Sequence, residues 1–320
     1  MEAGGRMSAL ICGSIAYDNI MVFQGRFQDQ ILPDQIHVLN VSFLVPALRR
    51  EFGGCAANIA YNLRLLGDVG YPMATVGHDF GPYRDWLKAR GVPLDHVRQL
   101  GESWTAVCYI TTDLADNQIT AFHPGAMEHA HLNKVPADAG IRWGMVSPDG
   151  RQAMIDHAEQ FAAAGIPFVF DPGQGLPMFG AGELERFIEL ADVVAVNDYE
   201  GKMLAQRTGM GEAEIAARVR AYIVTRGAEG SVILAGGERL EIPAAAPEAV
   251  VDPTGCGDAY RAGLLHGLLR EADWQTTGRI ASLMGAIKVE SPGTQNHVFD
   301  RDSFSERFMA TFGYHPGLGS

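Results

Sequence analysis

Along the second half of the chain, short apolar runs alternate with stretches whose apolar positions recur at three and four. The runs 144–147, 166–170, 193–196 and 221–225 are apolar nearly throughout and read as strands buried on both faces. Between them, 152–163, 183–190, the segment carrying Met203 and Leu204, and 212–220 read as amphipathic helices. Strand and helix in strict alternation predict a mostly parallel sheet covered by helices, an α/β fold. Residues 231–235 and 239–242 add an antiparallel pair, and 274–289 a long helix. A last helix follows, with Ser303 and Glu306 as its expected capping box. The first half begins in the same way. Residues 9–14 and 70–77 read as strands, and 79–90 as a helix ending at Gly91. Ile59, Leu63 and Leu66 are spaced for a helix that stops at Gly67.

Two regions follow a period of two instead. Residues 20–50, through IMVFQGRF and IHVLNVSFLVP, alternate as short strands, and 104–112 with 118–122 form an expected hairpin around 113–117. They predict a small β-sheet set apart from the large one, contributed by about 17–50 and 104–124. No repeat or low-complexity linker interrupts the chain, so 8–320 reads as one domain.

Composition narrows the function. The 320 residues are 47% hydrophobic and 20% charged, an ordinary globular mix. A formal charge of −13 argues against nucleic-acid or membrane partners, which want a basic surface. It does not oppose a nucleotide that arrives with magnesium. Cys12, Cys55, Cys108 and Cys256 are scattered without a C-x-x-C, which fits reduced thiols in a cytoplasm. The start, MEAGGRMSALICGS, is too short and too quickly polar for a signal peptide.

The richest chemistry lies in 247–268, PEAVVDPTGCGDAYRAGLLHGL. Ala249, Val250 and Val251 read as a strand end, and Asp252-Pro253-Thr254 as a turn. Gly255-Cys256-Gly257 is a glycine loop before a helix opened by Asp258. Glycines free consecutive amides to point into one space, and the helix dipole favours an anion there. Asp258 in that position reads either as a helix cap or as a general base beside a bound phosphoryl group. Asn197 and Glu200, three apart after a strand, suit either a hydrated magnesium ion or a helix cap. Thr225 and Gly227 follow the next strand, at the same edge of the sheet. Asp18, in a polar turn after the first strand, reads as a ligand contact or an Asx-turn. Gly53-Gly54 precedes a helix with Asn58 in its first turns. His123 follows a returning strand, where a lone loop histidine is more often incidental. His129 and His131 lack a third ligand nearby. The chain has no G-x-x-x-x-G-K-[ST] and no G-x-G-x-x-G after a strand, so neither a P-loop nor a dinucleotide fingerprint is present.

Together, D-P-T-G-C-G-D, F-G-G-C-A-A-N-I-A, N-x-x-E and T-x-G resemble, in order, the signatures of the ribokinase-like (PfkB) kinase family. Pro253 and Cys256 depart from the usual D-T-T-G-A-G-D without removing a glycine or a carboxylate. The resemblance implies a three-layer α/β/α fold in which the small sheet is a lid over the acceptor. It implies Asp258 as base, with the amides of Gly255, Cys256 and Gly257 as anion hole. Asp18, Gly53, Gly54 and Asn58 would bind substrate, joined from the lid by Phe122 and His123. Asn197, Thr225, Gly227, Thr254 and the stretch from Ala286 to Gly293 would line the nucleotide site. Glu200 and Asp252 would hold Mg2+, largely through water, with ATP as co-substrate; some relatives add a monovalent cation. The segments around Asp18, Asn58 and Phe122 look most like bacterial and archaeal nucleoside kinases, including adenosine-kinase-like members. Phe122 and the apolar run 38–48 would offer a greasy surface to a purine. The expectation is phosphorylation of a nucleoside 5′-hydroxyl. The alternatives are a kinase of ribose, fructose or a sugar phosphate, for which Arg49, Arg50 and Arg64 would be the cations, or a non-catalytic regulator. The exposed lid edges would suit a homodimer interface.

Overall fold

A computed structural model of the protein describes residues 8–31, 40–115, 117–137 and 140–317. The chain runs β1 (Ser8–Cys12), β2 (Ala16–Val22), β3 (Leu48–Gly53), α1 (Cys55–Leu65), β4 (Val69–Val76), α2 (Gly81–Ala89) and β5 (Val97–Gln99). The hairpin β6 (Ala106–Thr112) and β7 (Gln118–His123) follows. Alternation then takes over: β8 (Trp143–Val146), α3 (Arg151–Ala164), β9 (Phe168–Phe170), α4 (Ala181–Leu190), β10 (Val193–Asn197), α5 (Asp198–Thr208), α6 (Glu212–Ala216) and β11 (Ala221–Thr225). The chain ends with β12 (Ser231–Ala235), β13 (Glu238–Ile242), α7 (Cys256–Leu269), α8 (Trp274–Val289) and α9 (Arg301–Phe312).

The large sheet has nine strands in the order β13-β12-β11-β10-β9-β8-β1-β4-β5. It is parallel from β11 to β5, and β12 and β13 are antiparallel additions at one edge. Period two sorts its side chains. Ala9 and Ile11 of β1 join a core with α1, α2 and α7, whereas Leu10 and Cys12 join the opposite core with α3, α4 and α5. Helices thus cover both faces, which is why the strands are apolar at every position.

The small sheet has the order β3-β2-β6-β7. Its register aligns Glu51, Asp18, Cys108 and Phe122 in one cross-strand row, and Phe52, Tyr17, Val107 and His123 in the next. Neighbouring rows face opposite sides of a sheet. The second row packs on the core through Tyr17, Phe52 and Val107.

Several expectations need correction. Residues 249–251 form no strand: β13 already closes that edge, and the amides of Val251 and Asp252 both donate to the Val289 carbonyl instead. Val250 and Val251 are exposed. Asp18 lies within β2 and not in a turn, because pairing with both β3 and β6 extends the segment. Of the expected strands at 36–46, residues 36–39 lie outside the described part of the chain, and 40–46 have no regular structure; there Phe43 packs on Phe23 and Phe27. The capping box of α9 pairs Ser303 with Asp300, one turn earlier than the Ser303/Glu306 pair. The three-residue β5 and the 3-10 helix Gly125–Leu132, which carries His129 and His131, left no periodic signal.

Candidate active site

The glycine loop meets α7 as a left-handed N-cap. Gly255 has φ +81, and a Cβ there would lie 3.1 Å from the Thr294 side chain, so only glycine fits without strain. Asp258 is not the cap; it sits in the first turn. The Cys256 amide donates to the Pro253 carbonyl at 3.2 Å. Among the described residues the amides of Gly255 and Gly257 have no acceptor, so they, more than Cys256, are available to an anion.

The carboxyl of Asp258 accepts from Asn58 Nδ2 at 2.7 Å. Burial pushes it up to about 7, helped by the charges of Asp171 and Asp18 and opposed by Asn58 and Arg261. A carboxylate that titrates near neutrality is matched to accepting a proton. Asn58 comes from α1, whose start is shaped by the glycine pair. Gly54 has φ +93, and a Cβ there would lie 2.6 Å from the Ser14 carbonyl; a Cβ on Gly53 would strike the Asp18 carboxylate. Asn58 is 3% exposed, and its Oδ1 accepts from Gln295 Nε2 at 2.8 Å, so both ends of its amide are engaged inside the protein.

The small sheet brings further acid toward Asp258. Burial raises Asp18 to about 6, with Glu51 beside it in register and Asp252 nearby adding repulsion. Phe122 shares that row and is half exposed, whereas His123 belongs to the opposite row and is not brought to Asp258.

Asp252 anchors the loop itself. Its Oδ1 accepts from the Thr254 amide and its Oδ2 from the Gly293 amide, each at 2.9 Å. Burial pushes its carboxyl up, but these amides and Lys288 prevail and hold it below the usual range. Lys288 is fully buried, and its ammonium donates to the carbonyls of Asp252 at 2.6 Å and Ser291 at 3.1 Å. Asn197 and Glu200 close a reciprocal capping box, each bond 2.8 Å, so the capping expectation is realised. Burial and the neighbouring Asp171 raise Glu200, which couples it to the Asp171–Arg261 pair beneath α7. Thr225 pairs with Asn197 in register at the end of β11, and Gly227 and Thr254 are exposed nearby in sequence to their strand and loop. Ala286 is 5% exposed, buried with Ala259, Leu283 and Phe304 in a core cluster. Sequence reasoning missed Lys288, Gln295 and the Arg261–Asp171 pair; the only signal for Arg261 was its place one turn after Asp258.

A model of the pfkB family carbohydrate kinases matches residues 16–300. The chain belongs to that family. Membership makes it a phosphotransferase with a hydroxyl acceptor, and its mostly parallel large sheet, small second sheet and helices on both faces are a ribokinase-like fold. The chain is similar to a nucleoside kinase of Methanothermobacter thermautotrophicus, 33% identical over 294 residues, covering 89% of this chain and 93% of the relative. The structure of Burkholderia thailandensis nucleoside kinase in complex with inosine is 52% identical, with a TM-score of 0.87 over 96% of this chain and 99% of that one. The same enzyme in complex with ADP-inosine gives 54% and a TM-score of 0.85, over 96% and 97%.

Proposed function

We infer that this pfkB kinase transfers the γ-phosphoryl group of ATP to the 5′-hydroxyl of a nucleoside. The observation that carries the reaction is Asp258, raised to about 7 and set in the first turn of α7, next to the open amides of Gly255 and Gly257. Asp258 takes the hydroxyl proton as the oxygen bonds to phosphorus. The bond from the γ-phosphorus to the bridging oxygen breaks, and ADP leaves. The two amides hold the equatorial oxygens of the migrating group, where preorganised donors act most strongly. Asp18 and Phe122, in one row of the lid, face the acceptor, Asp18 toward its hydroxyls and Phe122 toward an apolar base. Asn58 positions the base more than it touches sugar, because its amide is already spent on Asp258 and Gln295. Thr225, Gly227 and Thr254 border the nucleotide; Ala286 supports that wall from beneath.

The acidic groups fit a hydrated Mg2+ better than a caged one. Among the described residues no three metal-binding side chains cluster, and both oxygens of Asp252 already accept amides. Glu200, with one oxygen outside its capping box, and Asp252 would hold its waters. Bound there, the ion neutralises phosphate charge. A monovalent cation fits poorly, because the Lys288 ammonium already occupies the carbonyls of Asp252 and Ser291 beside the loop.

A nucleoside acceptor is favoured over a sugar phosphate because the two arginines of β3 are committed, and Arg64 sits in the last turn of α1 beside Gly91, at the other end of that helix from Asn58. Arg49 pairs with Glu51 at 2.9 Å, and Arg50 stacks over Tyr17 on the other face. In an ADP-release panel, adenosine or inosine should therefore exceed ribose and fructose; a clear preference for a free sugar would discard the nucleoside reading. The pH profile gives a second test. Asp258 works only when ionised, so kcat/KM should fall as pH drops through about 7. The linked stability runs the other way: a carboxyl raised on folding favours the fold most in acid, and its contribution is lost as pH climbs toward 7. A flat rate profile between pH 6 and 8, taken as roughly one unit either side of that value, would remove Asp258 as the base.

Leu48, Tyr109 and Ile119, exposed on the lid, support a homodimer through that sheet. Free thiols at all four cysteines are in keeping with the cytoplasm. No described helix is long and apolar enough to cross a membrane.

A further inference from the structure

Behind Asp258 lies a buried chain of hydrogen bonds with fixed polarity at both ends. Trp86 Nε1 donates to Gln295 Oε1 at 3.1 Å. An indole N–H can only donate, so the Gln295 oxygen must face it and the Gln295 amino group must face away. That amino group donates to Asn58 Oδ1 at 2.8 Å and to the Tyr83 hydroxyl at 2.6 Å. Tyr83 in turn donates to the Gly53 carbonyl at 2.8 Å, which can only accept. Its proton is therefore committed, and its oxygen can only receive from Gln295. Two independent ends thus fix the same orientation of Gln295. With its oxygen facing Gln295, Asn58 can present only its amino group to Asp258, at 2.7 Å. Asn58, Tyr83 and Gln295 are 3%, 0% and 2% exposed, so solvent cannot substitute for a lost partner.

We propose that Trp86, Tyr83 and Gln295 are positioning residues that lock the Asn58 amide with its donor toward Asp258. The proposal rests on Asp258 being the base. The consequence is chemical. A protonated Asp258 has a proton to donate, and the locked amide offers it no acceptor. The ionised form always finds its donor. The lock therefore favours the form that accepts a proton from substrate. Releasing it lets Asn58 turn its carbonyl toward Asp258 and stabilise the acid.

The other groups that face Asp258 are Asp18 of β2, Cys55 of α1, Tyr83 of α2, Asp171 after β9, and Cys256 and Arg261 of α7. Trp86→Phe leaves all of them in place. It keeps a ring against Phe52, now 5.0 Å from the indole, and under Arg90. Tyr83→Phe removes the second pin.

The test is the titration of the Asp258 side-chain carboxyl by carbon NMR in the ligand-free protein, assigned by loss of its signal in Asp258→Asn. Trp86→Phe should move the midpoint upward, and Trp86→Phe/Tyr83→Phe should move it further, by about one pH unit in all. The acid limb of kcat/KM for inosine should move with it, while turnover on the alkaline plateau stays near the parent value. A midpoint unchanged in both folded variants, or lowered, overturns the proposal. Failure of the parent protein to phosphorylate any nucleoside would instead sink the nucleoside reading, and the carboxyl titration would still decide the lock.

Discussion

Asp258→Asn lowers kcat for inosine by roughly a hundredfold or more and leaves nucleoside affinity nearly unchanged. The substitution is close to isosteric, and its Oδ1 still accepts from Asn58, so the first turn of α7 and its amides keep their places. What disappears is the ability to take a proton. The carboxyl is held near neutrality by burial and by the charges of Asp171 and Asp18, so in the parent protein much of it is ionised at working pH. An amide cannot take that role at any pH, and the acid limb of the rate profile should vanish along with the rate. Steady-state ADP release and calorimetric titration with inosine separate the two effects. Turnover near that of the parent, or an affinity loss that matches the rate loss, would mean that Asp258 binds substrate and does no proton chemistry.

The second large effect is on stability. Arg261→Met should destabilise the fold by about 3–5 kcal/mol. The Arg261 guanidinium lies 3.1 Å from Asp171 Oδ1 and 3.2 Å from the Ala195 carbonyl, with the two side chains only 5% and 8% exposed. Methionine fills similar volume but leaves Asp171 as an uncompensated buried charge beside Asp258 and Glu200. In a protein of this size that loss lowers the thermal midpoint by roughly 4–8 °C. Adding Asp171→Asn should restore part of it, because the orphaned charge and not the missing contact is the greater cost. A midpoint within about 1 °C of the parent would show that the pair contributes little. No recovery in the double variant would move the cost from charge to packing.

The glycine loop and Asp258 were legible because everything that defines them is local: glycines, a turn and a helix start within one short string. The central strands were legible because burial on both faces writes an unbroken apolar run. Three apolar residues at 249–251 carry the same signature and form no strand, since their position relative to the edge strand β13 is a tertiary fact. Asp18 looked like a turn residue because its extended conformation depends on β3 and β6, which arrive later in the chain. Phe122 and His123 were indistinguishable as neighbours, and only the register of β7 sends them to opposite faces. Trp86 and Gln295 meet across 209 residues, and no spacing rule reaches that far. Lys288 lies near a helix end, where a lysine is common, and only the packing reveals it as fully buried.

That lysine has a mechanical consequence. One ammonium clips the carbonyl before the glycine loop to the carbonyl before Gly293 and Gln295, and Asp252 repeats the clip from its side chain. The segment that leads into the glycine loop and the segment that carries Gln295, which holds Asn58, are therefore fastened to each other at the C-terminal end of α8.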